Sequence, residues 1–218
     1  MAHTLEADSI YLEFDMRRIL SDIYVKAETG KITGLLGRNG QGKTCLLNII
    51  YGNLNPQSRS VRFDDVHTVD AFKRIDLLTY LPQFSFIPQS LSVKSIFKDF
   101  ETDFETFTNY FTEFKDLYKT PFSNLSGGQK RLIEVYCLIK AKSQFSMLDE
   151  PFSHIMPLHV EVIKEILMTE KKHKGFFITD HMFRHIIEIS DSLYVLKDCK
   201  TYLAKSIEDI EELGYAHL

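Results

Sequence analysis

Residues 37 to 44 read Gly-Arg-Asn-Gly-Gln-Gly-Lys-Thr, the spacing G-x-x-x-x-G-K-[ST]. Across Gly37, Arg38, Asn39, Gly40, Gln41 and Gly42, glycines let successive backbone N–H groups turn inward around phosphate oxygens. A helix beginning near Lys43 offers its unpaired N–H groups and positive dipole end to the same anion. Lys43 adds a full charge where β- and γ-phosphates would lie, and Thr44 a hydroxyl for the Mg²⁺ that accompanies a nucleotide. Cys45 follows in the first helical turn. It reads either as an unusually acidic, redox-sensitive thiol beside a lysine or as a small residue tolerated in that turn.

Two further stretches carry chemistry. Gln144 to Glu150 is a mostly apolar strand ending in two acids, and such an end lies at the carboxyl edge of a parallel sheet, where open α/β folds bind ligands. Because side chains alternate along a strand, the acids take different roles. Asp149 is the candidate for the Mg²⁺ shell and Glu150 for polarising an attacking water. Gly175 to Asp180 is another buried-looking strand and delivers His181 to the same edge. Leu125-Ser126-Gly127-Gly128-Gln129 opens a helix running to Lys140 and forms a second anion-binding helix start. One nucleotide cannot readily use two such cradles from one compact chain.

The elements that must position these groups are legible from periodicity. Ser9 to Phe14 and Ile19 to Ala27 read as short strands, and Thr29-Gly30 punctuates them before an apolar strand from Lys31 to Leu36. That strand runs into the glycine loop, and Cys45 to Tyr51 continues as a helix ended by Gly52. Strand, loop and helix are the context the phosphate motif requires. Leu81-Pro82-Gln83 closes another strand. Beyond it Phe97, Phe100, Phe104, Phe107, Phe111 and Phe114 recur at three- and four-residue steps, an apolar stripe across two short helices. A hairpin near Leu193 to Leu203 and a helix at Ile207 to Leu213 complete the reading.

Composition narrows the class. The chain has 218 residues, 44% hydrophobic and 26% charged, the balance of one domain able to bury a core without disulfides. No apolar run approaches the roughly 18 residues of a membrane span, and Met1 to Ser9 is polar and acidic, so a cytosolic chain is expected. Cys45, Cys137 and Cys199 are far apart and odd in number, as free thiols in a reducing compartment would be. A net charge of -4 gives no footprint for wrapping nucleic acid. Lys171-Lys172-His173-Lys174 reads as a solvated helix end. His181 and His185 stand four apart, but no third ligand of the right kind is near in sequence for zinc.

Taken together, from about Leu5 to Leu213, the chain resembles the nucleotide-binding subunit of an ATP-binding cassette (ABC) transporter. Gly37 to Thr44 resembles that family's Walker A, Leu125 to Gln129 its signature motif, Leu148-Asp149-Glu150-Pro151 its Walker B with catalytic glutamate, and His181 its switch histidine. Gln83 looks like the glutamine of its Q-loop, which the resemblance places near the reacting phosphate and the Mg²⁺ together with Thr44 and Asp149. Phe14, with Tyr11 as the alternative, lies where the family stacks an aromatic ring on adenine.

The resemblance implies an ATPase with ATP and Mg²⁺ as cofactors. Its fold would be α/β: a P-loop NTPase core with a parallel sheet, an N-terminal antiparallel β-subdomain and a small helical subdomain inserted at about 84 to 130, within a single domain over residues 1 to 218. Two copies would sandwich two ATP molecules, the Ser126 loop of one closing on the nucleotide held by Lys43 of the other, with a homodimer the simplest solution. A separate integral membrane subunit would dock at the Gln83 groove, where Phe84, Phe86 and Phe97 are candidate contacts, so the chain would sit peripherally on the inner face of the cell membrane. A soluble, non-transport cassette acting on ribosomes or DNA is the alternative. One departure stands out: Met156 occupies the position where the family usually carries an aspartate that crosses the dimer interface.

Overall fold

The computed structural model describes residues 2 to 214. Strands β1 (Thr4–Phe14) and β2 (Arg17–Glu28) form a long antiparallel hairpin, broken by register shifts between Asp8 and Glu13. β3 (Ile32–Leu36) leads to α1 (Lys43–Tyr51), followed by β4 (Ser58–Phe63), the short β5 (Val66–His67) and β6 (Leu78–Leu81). Next come α2 (Val93–Asp99), α3 (Phe104–Tyr110), two 3-10 turns and α4 (Gly127–Lys140). The chain continues through β7 (Phe145–Asp149), α5 (Pro157–Glu170), β8 (Gly175–Thr179) and α6 (Phe183–Ile189). It ends with the hairpin β9 (Ser192–Lys197) and β10 (Lys200–Ala204), then α7 (Ile207–Glu212). The first strands are longer than the periodicity predicts: Arg17 and Arg18 still pair with Phe14 and Glu13 although their side chains are polar and exposed.

Two sheets result. The antiparallel sheet runs β2-β1-β4-β5, and the larger sheet β10-β9-β3-β8-β7-β6. Within the larger one β6, β7, β8, β3 and β9 are mutually parallel, and β10 is an antiparallel edge. β3, β7 and β8 are buried along their whole lengths, as continuous apolar runs should be when both faces are covered. Parallel pairing also puts every strand's carboxyl end on one edge. Leu81 pairs with Leu148 and Asp149 with Thr179, so the residues that follow, Gln83, Glu150 and His181, leave the sheet side by side. Gly34 lets α6 approach this sheet: a Cβ there would stand 2.6 Å from Ile186 Cγ2 and Ser190 Oγ and 2.7 Å from Leu193 Cδ2.

The phenylalanine stripe is the core of the segment between β6 and β7. Phe97, Phe107, Phe111 and Phe114 are buried, and Phe100 and Phe104 pack against them. The stripe spans more than two helices: Phe100 and Phe111 stand at the carboxyl caps of α2 and α3, and Phe114 lies in a 3-10 turn. Ser92 and Asp103 supply the N-caps that start α2 and α3, accepting from Ser95 N and Thr106 N.

One expectation is reversed at the other end of the sheet. Lys174 is 3% exposed rather than solvated. Its ammonium donates to Ala141 O at 2.5 Å, Ser146 Oγ at 2.8 Å and, more weakly, to Ile139 O and Leu138 O. A lysine that reads as part of a basic run thus caps the carboxyl end of α4, where unpaired carbonyls and the negative dipole end favour a cation.

Candidate functional site

The glycine loop leaves β3 and wraps the amino end of α1. Gly42 takes the N-cap position at φ 99°, a left-handed conformation open to glycine, and a Cβ there would meet Ile19 Cγ2 at 3.0 Å. No side chain caps α1 and its first turn carries no acid, so its N–H groups have the arrangement an anion uses. Lys43 is 6% exposed and donates to Gly37 O at 2.6 Å, with Arg38 O at 3.4 Å. Burial lowers its pKa, and the charges of Glu150, Asp149 and Asp180 oppose that shift.

Facing the loop, the carboxyl edge gathers Thr44, Gln83, Asp149 and Glu150. The Gln83 amide donates to Thr44 Oγ1 at 3.0 Å, Glu150 Oε1 at 3.0 Å and Asp149 Oδ1 at 3.5 Å. Asp149 is fully buried, and burial pushes its pKa up to about 6 despite hydrogen bonds from Thr44, Tyr80 and Gln83. The Asp149 carboxylate and Thr44 hydroxyl are hard oxygens that suit Mg²⁺, which takes only one or two protein carboxylates beside phosphate oxygens and water, and the Gln83 amide, whose nitrogen faces them here, would offer its oxygen once the amide is flipped. The donor set therefore fits the ion.

Glu150 has φ 52°, outside the usual range of a non-glycine residue. Its N–H donates to Thr179 O at 2.7 Å. Its Oε2 accepts from Ser153 Oγ at 3.2 Å and stands 3.6 Å from His181 Nδ1. His181 also lies 3.3 Å from Asp180 Oδ1 and is half exposed. His185, four residues on, turns elsewhere, its ring edge-on to Phe152 at 5.6 Å and its Nδ1 4.0 Å from Glu161. The two histidines thus have different partners.

Phe14, Asn39, Gly40, Gly42, Lys43, Thr44, Cys45, Gln83 and Glu150 share one open cleft of about 570 Å³, with Arg17 and Ile19 on its wall. Phe14 presents an exposed ring there, whereas Tyr11 bonds Glu13 Oε2 and lies beneath the Arg18 guanidinium. Arg38 and Gln41 line a neighbouring hollow, where Arg38 donates to Gly214 O. Ser126, Gly128 and Gln129 line a separate cavity with Met156. There Ser126 and Gln129 form a reciprocal capping box at the start of α4. Gly127 is open, whereas a Cβ on Gly128 would stand 2.9 Å from His154 O. The two cradles of this chain are thus distinct places.

Three contributors have no motif to announce them. Asp180, fully buried, accepts from Phe152 N and Met182 N and so fixes the turns on either side of Glu150 and His181. Tyr80, whose pKa burial raises far above the phenol range, places its hydroxyl on Asp149 Oδ2 at 3.3 Å and accepts from Asn48. Arg131, on α4, reaches the backbone behind Gln83 and Glu150. Tyr80 lies on β6 and Arg131 on α4, where composition shows only packing, and Asp180 directly follows β8.

The acidic-thiol reading of Cys45 does not hold: burial, reinforced by the Asp149 charge, raises its pKa. At pH 7.5 less of it is thiolate than of a free cysteine of pKa about 8.5. Iodoacetamide labelling of Cys45, followed by mass spectrometry, should therefore be slower than for free cysteine at that pH and rise about tenfold per pH unit below its pKa. Labelling faster than the free thiol would restore the redox reading.

Comparison with known proteins places this geometry. A family profile described as "ABC transporter" matches residues 20 to 153. The chain is 29% identical to the lipopolysaccharide export system ATP-binding protein LptB of Acidithiobacillus ferridurans over 96% of this chain and 93% of that one. It is likewise 29% identical to LptB of Escherichia coli K12, over 88% and 86%. Among solved structures, the ATP binding subunit of an ABC transporter superposes with a TM-score of 0.83 at 18% identity, covering 97% of this chain and 93% of the other. A nucleotide-free ATP-binding cassette from an ABC transporter gives 0.75 at 20%, covering 97% and 94%.

Proposed function

The chain belongs to the ABC transporter family, and we propose that it is the ATP-hydrolysing motor subunit of a transporter whose membrane-spanning chain is separate. The observation that carries the hydrolytic part is the convergence of Thr44, Asp149 and Glu150 on one glutamine, beside a glycine loop and a buried lysine. In this reading one ABC ATPase domain spans residues 1 to 218. The amides of Gly37 to Thr44, with Lys43, bind the β- and γ-phosphates. Thr44, Asp149 and Gln83 would hold Mg²⁺, which would neutralise phosphate charge. Glu150 Oε orients the water for in-line attack. His181 stands close enough to share the developing charge, and Phe14 stacks on the base.

The second cradle, at Ser126 to Gln129, needs a nucleotide from another subunit, which supports a head-to-tail dimer of two copies. Among the described residues no helix is long and apolar enough to cross a membrane, so membrane attachment in this reading comes through the partner. Phe84, 74% exposed beside Gln83, is the candidate contact, and Phe86 is half-buried with its ring 6.3 Å from that of Phe100. Phe97 is removed from that set: at 2% exposure it belongs to the core, held there by Phe104, Phe107 and Tyr136.

The test is capture of tagged Glu150→Gln protein with Mg-ATP from gently solubilised cells. A stoichiometric multi-span membrane protein is the expected companion. Ribosomes or DNA in its place would overturn the transporter reading.

A further inference from the structure

We infer that Arg131 is a positioning residue for hydrolysis: from the signature helix it clasps the backbone that carries Gln83 and Glu150. The inference rests on the ATPase reading of the site and adds to it a residue whose guanidinium goes to main-chain carbonyls behind the site. Arg131 is 5% exposed. Its Nη1 donates to Pro82 O at 2.7 Å, and its Nη2 to Asp149 O at 2.8 Å and Glu150 O at 2.9 Å. Glu134, one turn later on the same face, accepts through Oε1 from Ser85 Oγ at 2.6 Å, Phe86 N at 3.1 Å and Ile87 N at 3.5 Å. Gln83 is thereby anchored on both sides, at Pro82 by the arginine and at Ser85 to Ile87 by the glutamate.

A purely structural explanation accounts poorly for this arrangement. A buried guanidinium is costly to desolvate, and its nearest carboxylate, Glu134 Oε2, stands 3.8 Å away, while its Nε has no partner among the described residues. An apolar residue would pack α4 against β7 at lower cost. What the planar fork supplies is two donors in fixed directions, one for the glutamine loop and one for the end of β7. That end is where Glu150 adopts φ 52°, past the last strand residue, and a residue held there needs both of its main-chain groups tied. Thr179 O binds its N–H, and Arg131 binds its carbonyl. Because α4 also begins at Ser126, one rigid helix joins the cradle for a second subunit's nucleotide to the backbone of this subunit's own water-orienting carboxylate.

The experiment compares wild type, Glu150→Gln, Arg131→Met, Arg131→Lys and the double variant Arg131→Met/Glu150→Gln. It reads kcat and KM for Mg-ATP, equilibrium binding of a fluorescent ATP analogue, and thermal unfolding. Arg131→Met should lower kcat about 10- to 100-fold, the scale of a small misplacement of reacting groups, with analogue affinity within about threefold of wild type. Arg131→Lys, a point charge that cannot span the three carbonyls, should lower kcat by at least about fivefold. In the double variant the residual rate should match Glu150→Gln alone, since the two residues act as a unit. Wild-type kcat in folded Arg131→Met, or a multiplied loss in the double variant, overturns the inference. If Arg131→Met does not fold, wild-type kcat in Arg131→Lys overturns it. Absence of any Glu150-dependent ATP hydrolysis in wild type sinks the ATPase reading, and the inference with it. Hydrolysis that depends on Glu150 but ignores Arg131 sinks only the inference.

Discussion

Glu150→Gln should lower the steady ATPase rate about 10²- to 10⁴-fold while ATP binding survives, because the change removes a proton acceptor and almost nothing else. The amide is nearly isosteric, the Gln83 contact can persist through the remaining oxygen, and the backbone at φ 52° stays tied to Thr179 and Arg131. Lys43 and the glycine loop, which carry the phosphate contacts in this reading, are untouched. Single-turnover hydrolysis alongside equilibrium binding of ATP separates the two steps. A variant that binds ATP and turns over at the wild-type rate would move the general base away from Glu150, with His181, 3.6 Å away, as the next candidate. A variant that loses binding would mean that Glu150 serves the pocket's shape rather than the water.

The second large effect is on stability. Phe107→Ala should destabilise the protein by about 3 to 5 kcal/mol, the usual range for emptying a fully buried aromatic site. Phe107 is fully buried. Its ring centroid lies 5.0 Å from Phe97, 5.0 Å from Phe111, 4.9 Å from Phe114 and 4.9 Å from Tyr136. Tyr136 belongs to α4, so the cavity opens against the helix that begins at Ser126 and carries Arg131. With whole-domain stabilities of about 5 to 15 kcal/mol, a large share is lost. Urea unfolding should show a lower midpoint. A loss below about 1 kcal/mol would mean that the neighbouring rings collapse into the space, a repacking this interlocked cluster disfavours.

Legibility followed locality. The glycine loop, the acid pair and the signature segment could be read because each needs residue types set close together in the chain: glycines for positive φ, a lysine beside the helix start, a Ser-x-x-Gln box at a helix cap. The phenylalanine stripe was legible as helical periodicity, yet periodicity could not tell which rings face a partner. Phe97 and Phe84 differ only in what the fold brings against them, and one is buried while the other is exposed. Lys174 shows the same limit. In the chain it is one of four basic residues, whereas in the molecule it is the buried amine that closes the carboxyl end of α4, its pKa lowered to about 7 by burial.

What the sequence by itself determined was the class of chemistry and the α/β fold. Short-range patterns of glycine, charge and apolar period dictate a phosphate loop between strand and helix, and a strand that ends in acids. Only the tertiary structure decided which distant groups work together. Parallel pairing of β6, β7 and β8 sets Gln83, Glu150 and His181 on one edge, the packing of α4 behind that edge selects Arg131 as a support, and the turn after Glu150 brings Phe152 N onto Asp180. The contacts of Arg131 reach as far as Pro82, 49 positions away, through backbone carbonyls that every residue owns. Since the acceptor carries no side-chain signature, no residue pattern can announce it. It exists once the helix is seated.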